Sequence, residues 1–305
     1  MRTAFVSALL DAAEHDPRVW LVTGDLGYSV LEPFAERFPE RYVNAGVAEQ
    51  NMVGVAAGLA ASGAIVFVYS IANFPTFRAL EQMRNDVCYP GAAVTIVSVG
   101  SGFSYGSHGS THQAIEDLAI MRALPGIVTV SPGDPTEAMA ATHALITRRG
   151  PGYLRLGKAG EVAIPAVDPD PFSLDRLRLI REGSDVTILA TGSILAVADA
   201  AAGALAAEGI GVRLYSAHTL RPFDGETLLR AMGETRGLVT VEEHRLVGGL
   251  RSAVAESLLD VPHGPVISLG LDVDARFPTG DQAYLRSLYG LTRDGIIDAA
   301  RKIVG

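Results

Sequence analysis

Two short stretches of this 305-residue chain carry side chains suited to chemistry. The first is Asn44-Ala-Gly-Val-Ala-Glu-Gln-Asn51, which delivers one carboxylate, Glu49, to the mouth of an uncharged run, Met52 to Ala61 (MVGVAAGLAA). That run reads as a buried helix of Ala, Gly and Val. A carboxylate at its start loses part of its hydration and becomes a stronger acceptor for a basic partner. An acid in a first helical turn also answers to the helix dipole alone, so spacing leaves both roles open.

The second stretch is Gly100-Ser-Gly-Phe-Ser-Tyr-Gly-Ser-His-Gly-Ser-Thr-His-Gln113. Glycines at 100, 102, 106 and 109 allow positive φ and close approach of backbone to a ligand. The apolar run Ala93 to Val99 before it reads as a buried parallel strand. Open α/β sheets bind ligands in loops that follow the carboxyl ends of strands. His108 and His112, four residues apart, are of the type suited to proton transfer near neutrality. Two histidines do not complete a metal site, and no third Cys, His or carboxylate stands at a typical spacing. Acid–base or hydrogen-bonding work on a ligand is the better reading.

Taken together, RYVNAGVAEQNMVGVAAGLA (41–60), YSIANFPTFRALEQMRNDVCY (69–89) and GSHGSTHQAIEDLAIMRALPG (106–126) resemble the second half of transketolase, the part that holds the pyrimidine of thiamine diphosphate. The resemblance runs from about Arg2 to Gly305, and the combination of GDLG (24–27), AEQN and THQ makes it specific. Deoxyxylulose-phosphate synthases and the β subunits of 2-oxoacid dehydrogenases share the fold; the β subunits usually lack the AEQN form. The resemblance implies that Glu49 hydrogen-bonds N1′ of the aminopyrimidine and favours its imino tautomer. It places Phe74 against the ring, with Phe77 as the alternative three residues on. It gives His112 contacts to substrate oxygens, puts Asp25 near cofactor and substrate, and assigns Ser29 to sugar-phosphate binding. A serine in a turn also serves the turn itself.

Departures from the family pattern bear on the substrate. Relatives acting on sugar phosphates commonly have an aspartate where Gly106-Ser-His-Gly109 places His108, and a donor histidine suits an acidic or carbonyl oxygen better than a carboxylate does. Relatives often carry a basic residue near Gly100. A family phosphate arginine falls on Lys158 in YLRLGKAG (153–160), keeping charge without the bidentate fork. Arg2 aligns with a further phosphate-site arginine. The expectation is an unusual or weakly phosphorylated sugar as substrate.

Helical and strand patterns alternate along the chain: Arg2 to His15 amphipathic, Val19 to Thr23 strand, Gln50 to Ser62 helix, Ala64 to Tyr69 strand, then further units to Val128–Ser131. Asp134-Pro135 reads as N-cap and first position of another helix. Ala163 to Pro171 (AIPAVDPDP) marks a boundary. A second α/β unit follows, with strands at Asp185–Thr191, Val212–Tyr215 and Leu238–Val241 and an Ala-rich helix at Ile194–Glu208. The fold class expected is α/β, two doubly wound domains: pyrimidine-binding at 1–162, a linker at 163–182 and a transketolase C-terminal-like domain at 183–305. Glu242-Glu243-His244 at a strand end fits a domain or subunit interface better than catalysis.

Composition sets further bounds. A net charge of −9 argues against nucleic acid or an anionic membrane as partner. Hydrophobic residues make up 48% of the chain, so apolar surface should be buried against other subunits. A lone cysteine, Cys88, excludes an intrachain disulfide and fits a reducing cytoplasm and a place in a core. No signal peptide or run long enough to span a membrane is evident.

Thiamine enzymes of this family hold the diphosphate through Mg²⁺ on a Gly-Asp-Gly segment and a later Asn, and this chain has no Gly-Asp-Gly. The resemblance therefore implies the second subunit of a split transketolase. Mg²⁺ would be bound mainly by an amino-terminal partner subunit, in an α2β2 heterotetramer acting on sugar or sugar-phosphate substrates. Another thiamine diphosphate carboligase subunit, or a non-catalytic relative, are the alternatives.

Overall fold

The computed structural model describes residues 1–168, 170–272 and 278–305. Its strands, in chain order, are β1 (Val19–Thr23), β2 (Tyr42–Asn44), β3 (Ile65–Ile71), β4 (Val94–Val99), β5 (Val128–Val130), β6 (Gly152–Leu156), β7 (Arg178–Arg181), β8 (Val186–Thr191), β9 (Val212–Ser216), β10 (Thr219–Arg221), β11 (Leu238–Arg245) and β12 (Val266–Leu271). Runs such as VTIVSV in β4 and VTILAT in β8 are buried at every position, because helices cover both faces of a parallel sheet.

Two sheets result. The first has the order β10-β5-β6-β4-β3-β1-β2 and the second β12-β11-β8-β9-β7. Each is parallel except for one antiparallel edge strand, β10 on β5 and β7 on β9. The α/β class and the alternation read from the sequence hold here, and the helices at Arg2–His15 and Pro135–Arg148 lie where the pattern puts them. Asp134 caps the second of these, accepting the Glu137 N–H at 2.7 Å.

The halves are less separate than the chain order suggests. Strand β10 comes from the second half yet closes the first sheet. Strand β7 lies inside the stretch expected to be linker. One core cluster combines Val22, Met52 and Ile96 with Leu189, Leu220 and Leu238, so side chains from both halves share an interior. Short strands such as Thr219–Arg221 carry too little pattern to be read locally; a neighbouring sheet edge makes them strands.

A buried polar network ties the halves together and fixes the glycine-rich loop. Arg155 on β6 donates from Nε to Asp117 Oδ2 at 2.8 Å and from Nη2 to the Ala114 carbonyl at 2.6 Å. The same Nη2 reaches the Glu243 carbonyl on β11 at 3.2 Å, and the Tyr153 hydroxyl donates to Asp117 at 2.7 Å. Both ionised side chains are buried, at 1% and 0% exposure.

Glu243 then accepts the Phe103 N–H at 2.5 Å, the Gln282 amide at 3.0 Å and Arg286 Nε at 2.6 Å. Gly102, at φ 58°, packs so tightly on this carboxylate that an added Cβ would sit 2.5 Å from its Oε1. Glu242 accepts the N–H groups of Leu250 and Arg251 at 2.7 and 2.8 Å, and burial pushes its carboxyl up to about 8. Burial holds the His244 imidazole down at about 4, and its Nε2 faces the Ala119 N–H at 3.4 Å. The Glu242–His244 triplet is thus an interface between the two halves.

Two outcomes follow from this packing. Asp117→Ala leaves the Arg155 guanidinium buried without its counter-charge, and should lower the unfolding free energy by about 3–5 kcal/mol in urea titration. His218, which precedes β10, is buried with its ring 4.4 Å from that of Phe172. Burial, then the charge of Arg178, depresses it from 6.5 to about 3. The unfolded chain takes up this proton below about 6.5 while the folded chain does not until about 3, so stability present at neutral pH declines through that window. His218→Gln should give a shallower decline of the urea midpoint between those limits than the parent chain.

Candidate active site

Glu49 is the first residue of the helix Glu49–Ala61, whose N-cap, Ala48, has no side-chain oxygen to offer. The Glu49 carboxylate therefore lies among unsatisfied first-turn N–H groups and is 5% exposed. It accepts a hydrogen bond from Arg78 Nη1 at 2.9 Å, while the arginine stays half in solvent. Both line an open cavity of about 520 Å³ together with Val47, Ala48, Gln50 and Asn51.

This helix is not buried all round, contrary to its apolar reading. Met52, Val53 and Ala56 face the core with Glu49, whereas Gln50, Asn51, Gly54 and Ala61 are exposed. The described residues of this chain supply no partner for that uncharged face.

Arg78 closes the short helix Asn73–Arg78 that follows β3. Its guanidinium carbon lies 4.2 Å from the centroid of the Phe74 ring, one helical turn back. The Phe74 ring also meets His112 edge-on at 5.3 Å, so phenyl, guanidinium and imidazole are one cluster. Phe77, the other aromatic candidate, is 50% exposed.

Asn73, at the start of the same helix, pins the histidine loop. Its amide donates to the carbonyls of Thr111 at 3.1 Å and Gln113 at 3.0 Å. Within the loop the rings of His108 and His112 are 5.0 Å apart, and Tyr105 lies 5.9 and 6.3 Å from them. Burial, then the nearby charges of His108 and Arg78, lowers the His112 pKa and favours its neutral form. A neutral imidazole can donate from one nitrogen and accept at the other. Here Nδ1 pairs with the Thr111 hydroxyl at 2.9 Å.

Lys158 extends the cluster, its Nζ lying 5.2 Å from the Tyr105 ring centroid. Arg2 Nε donates to the Lys158 carbonyl, so these two basic residues are held side by side.

Asp25 and Ser29 occupy the turn after β1, both with left-handed φ, 57° and 61°. The Asp25 N–H donates to Asn44 Oδ1 at 2.9 Å, and Tyr28 O–H to Asp25 Oδ1 at 3.0 Å. Asn44 also accepts the Gly46 N–H at 3.0 Å, which joins this turn to the segment that delivers Glu49. The Ser29 N–H is taken by Glu32 at 2.7 Å. Among the described residues no hydrogen bond links Asp25 or Ser29 to Glu49, Phe74 or His112. The fold thus joins Glu49 and Phe74 through Arg78, and Phe74 to His112, His108, Tyr105 and Lys158 in a chain of contacts.

Arg78, Asn73 and Tyr105 were absent from the sequence reading as site residues. The four-residue spacing of Phe74 and Arg78 is a signal for a helical contact. No local pattern announces that Asn73 reaches a loop some forty residues downstream, since only the adjacency of β3 and β4 brings them together.

Comparisons with known proteins bear on the family and the fold. Residues 1–160 match the transketolase pyrimidine binding domain and residues 175–296 the transketolase C-terminal domain. The 6-deoxy-6-sulfo-D-fructose transketolase subunit SqwH of Clostridium sp. (strain MSTE9) is 38% identical over 304 residues, 99% of this chain and 94% of that protein. An apulose-4-phosphate transketolase subunit of Phocaeicola vulgatus (strain ATCC 8482) is 35% identical over 304 residues, 99% of this chain and 97% of that protein. A solved structure described as "Split gene transketolase, inactive beta4 tetramer" superposes with a TM-score of 0.88 at 38% identity, covering 99% of this chain and 97% of that one. With both domains matched and transketolase subunits among its relatives, the chain belongs to the transketolase family, the thiamine diphosphate-dependent ketol transferases, and carries that family's pyrimidine-binding and C-terminal domains.

Proposed function

We propose that this chain is the second subunit of a split transketolase in which an amino-terminal subunit holds the diphosphate and Mg²⁺, with two copies of each subunit in the working enzyme. The observation that carries this reading is the buried Glu49 carboxylate, opening on a cavity at a helix start and linked through Arg78 to the Phe74 ring. A carboxylate for the ring nitrogen and an aromatic face for stacking are the partners an aminopyrimidine requires, so the residues present fit that end of thiamine diphosphate. The uncharged exposed face of Glu49–Ala61 offers the partner subunit a surface without desolvation of charge.

When bound, thiamine diphosphate supplies the nucleophilic carbon and the electron sink for two-carbon ketol transfer. The protein contributes position and charge. Glu49 would hold ring nitrogen N1′ of the pyrimidine, its carboxylate accepting once that nitrogen carries a proton, and Phe74, rather than the exposed Phe77, would take the stacking role. Neutral His112 hydrogen-bonds substrate oxygens, and His108, 5.0 Å away, occupies the position where relatives carry an acid. Lys158 and Arg2 form a basic rim for an anionic group at the far end of the substrate, while Asp25 and Ser29 line the turn on the other side. The relatives' names point to unusual sugars, one 6-deoxy-6-sulfo-D-fructose and one apulose 4-phosphate. A histidine and a lysine in place of an acid and an arginine support a donor and acceptor outside ordinary pentose-phosphate exchange.

The test is reconstitution with the partner subunit. Glu49→Gln should fold and assemble as the parent does while turnover falls about 10- to 150-fold, the loss of one charge-assisted hydrogen bond. Near-normal turnover with cofactor bound would overturn the assignment of Glu49. Hydroxypyruvate should serve as donor and pyruvate should not; the reverse result makes the complex a deoxyxylulose-type synthase.

A further inference from the structure

Arg78 sits on both groups that the aminopyrimidine needs. Its Nη1 donates to Glu49 Oε1 at 2.9 Å, and its guanidinium carbon lies over the Phe74 ring at 4.2 Å. A guanidinium resembles an aminopyrimidine protonated on its ring nitrogen: planar, cationic, able to donate an N–H to a carboxylate and stack on a phenyl ring at the same time. The Phe74 face so covered has no room for a second planar group, and the other contact on that ring, His112 at 5.3 Å, is edge-on. The arginine is otherwise anchored lightly. Its side chain is 50% exposed and reaches the pocket from the last residue of a six-residue helix. Swinging it into water therefore breaks one ion pair and one ring contact without disturbing a core.

With Glu49 and Phe74 read as the cofactor's partners, as proposed for this site, we infer that the Arg78 guanidinium is a stand-in for the cofactor ring. It caps the buried carboxylate while the subunit is empty and is displaced when the pyrimidine enters. Arg78 is then an affinity-setting residue. It spares the empty site an unpaired buried carboxylate and lowers apparent cofactor affinity by the fraction of time it is seated.

The test is calorimetric titration of the assembled two-subunit complex with thiamine diphosphate in excess Mg²⁺, for the parent, Arg78→Ala and Arg78→Gln. Removal of the competitor should tighten binding about 3- to 10-fold in both variants. The melting temperature of the cofactor-free complex should fall, and that of the loaded complex should stay at the parent value. Arg78→Gln retains a long polar side chain, so it reports even where the alanine variant assembles poorly. Weaker or unchanged cofactor binding in the variants overturns the inference, because it makes Arg78 a standing part of the loaded site or a bystander. Glu49→Gln placed in the Arg78→Ala background, where no competitor is left, separates the two levels of failure. If the double variant binds cofactor less tightly than Arg78→Ala, the site reading holds and the Arg78 result stands on its own; if it binds as tightly, the cofactor reading itself falls.

Discussion

The buried pair of Arg155 and Asp117 is the interaction on which the remainder of this structure depends. Two ions at near-zero exposure are tolerated because the Arg155 guanidinium and Asp117 Oδ2 each have further partners, although Asp117 Oδ1 has none among the described residues. Tyr153 supplies a hydroxyl to the aspartate, and the carbonyls of Ala114 and Glu243 take up the arginine. Those two carbonyls belong to different halves of the chain. The desolvation cost of the pair thus makes separation of the halves unfavourable, because either carbonyl lost leaves a buried guanidinium short of a partner.

The glycine-rich loop inherits its position from that junction. It starts after β4, bends at Gly102 against Glu243, and returns through the bridge of Gly102 with Ala114. With Asn73 holding the carbonyls of Thr111 and Gln113, the loop is fixed from two sides and His112 is carried against Phe74. Binding loops are commonly mobile, but here a loop of the candidate site is braced by buried polar contacts from the C-terminal half. That gives the C-terminal half a physical task although, among the described residues, it lends no side chain to the cluster around Glu49 and Phe74.

The site itself is one-sided. Glu49, Arg78 and the uncharged face of the Glu49–Ala61 helix all open outward, and Val47 beside them is 72% exposed. Burying the uncharged helix face against another chain costs no charge desolvation, while the exposed half of the Arg78 side chain would lose water there. The high apolar content of the composition is accounted for by the core around the two sheets.

The sequence by itself determined the α/β class, most helix and strand positions, the carboxylate Glu49, the paired histidines and the family. These follow from features that act over a few residues: apolar runs of period one in buried strands, Asp-Pro at a helix start, and compact motifs such as AEQN and THQ. Only the tertiary structure decided that Thr219–Arg221 closes the first sheet, that one face of the Glu49–Ala61 helix stays open, and that Glu243 braces Gly102 across the two halves. The same is true of Arg78, whose placement on both Glu49 and Phe74 unites residues from separate helices. The reason is one of range: a hydrogen bond or ring contact between segments far apart in sequence leaves no periodic trace in either of them, and it exists only once the sheet order has set their distance.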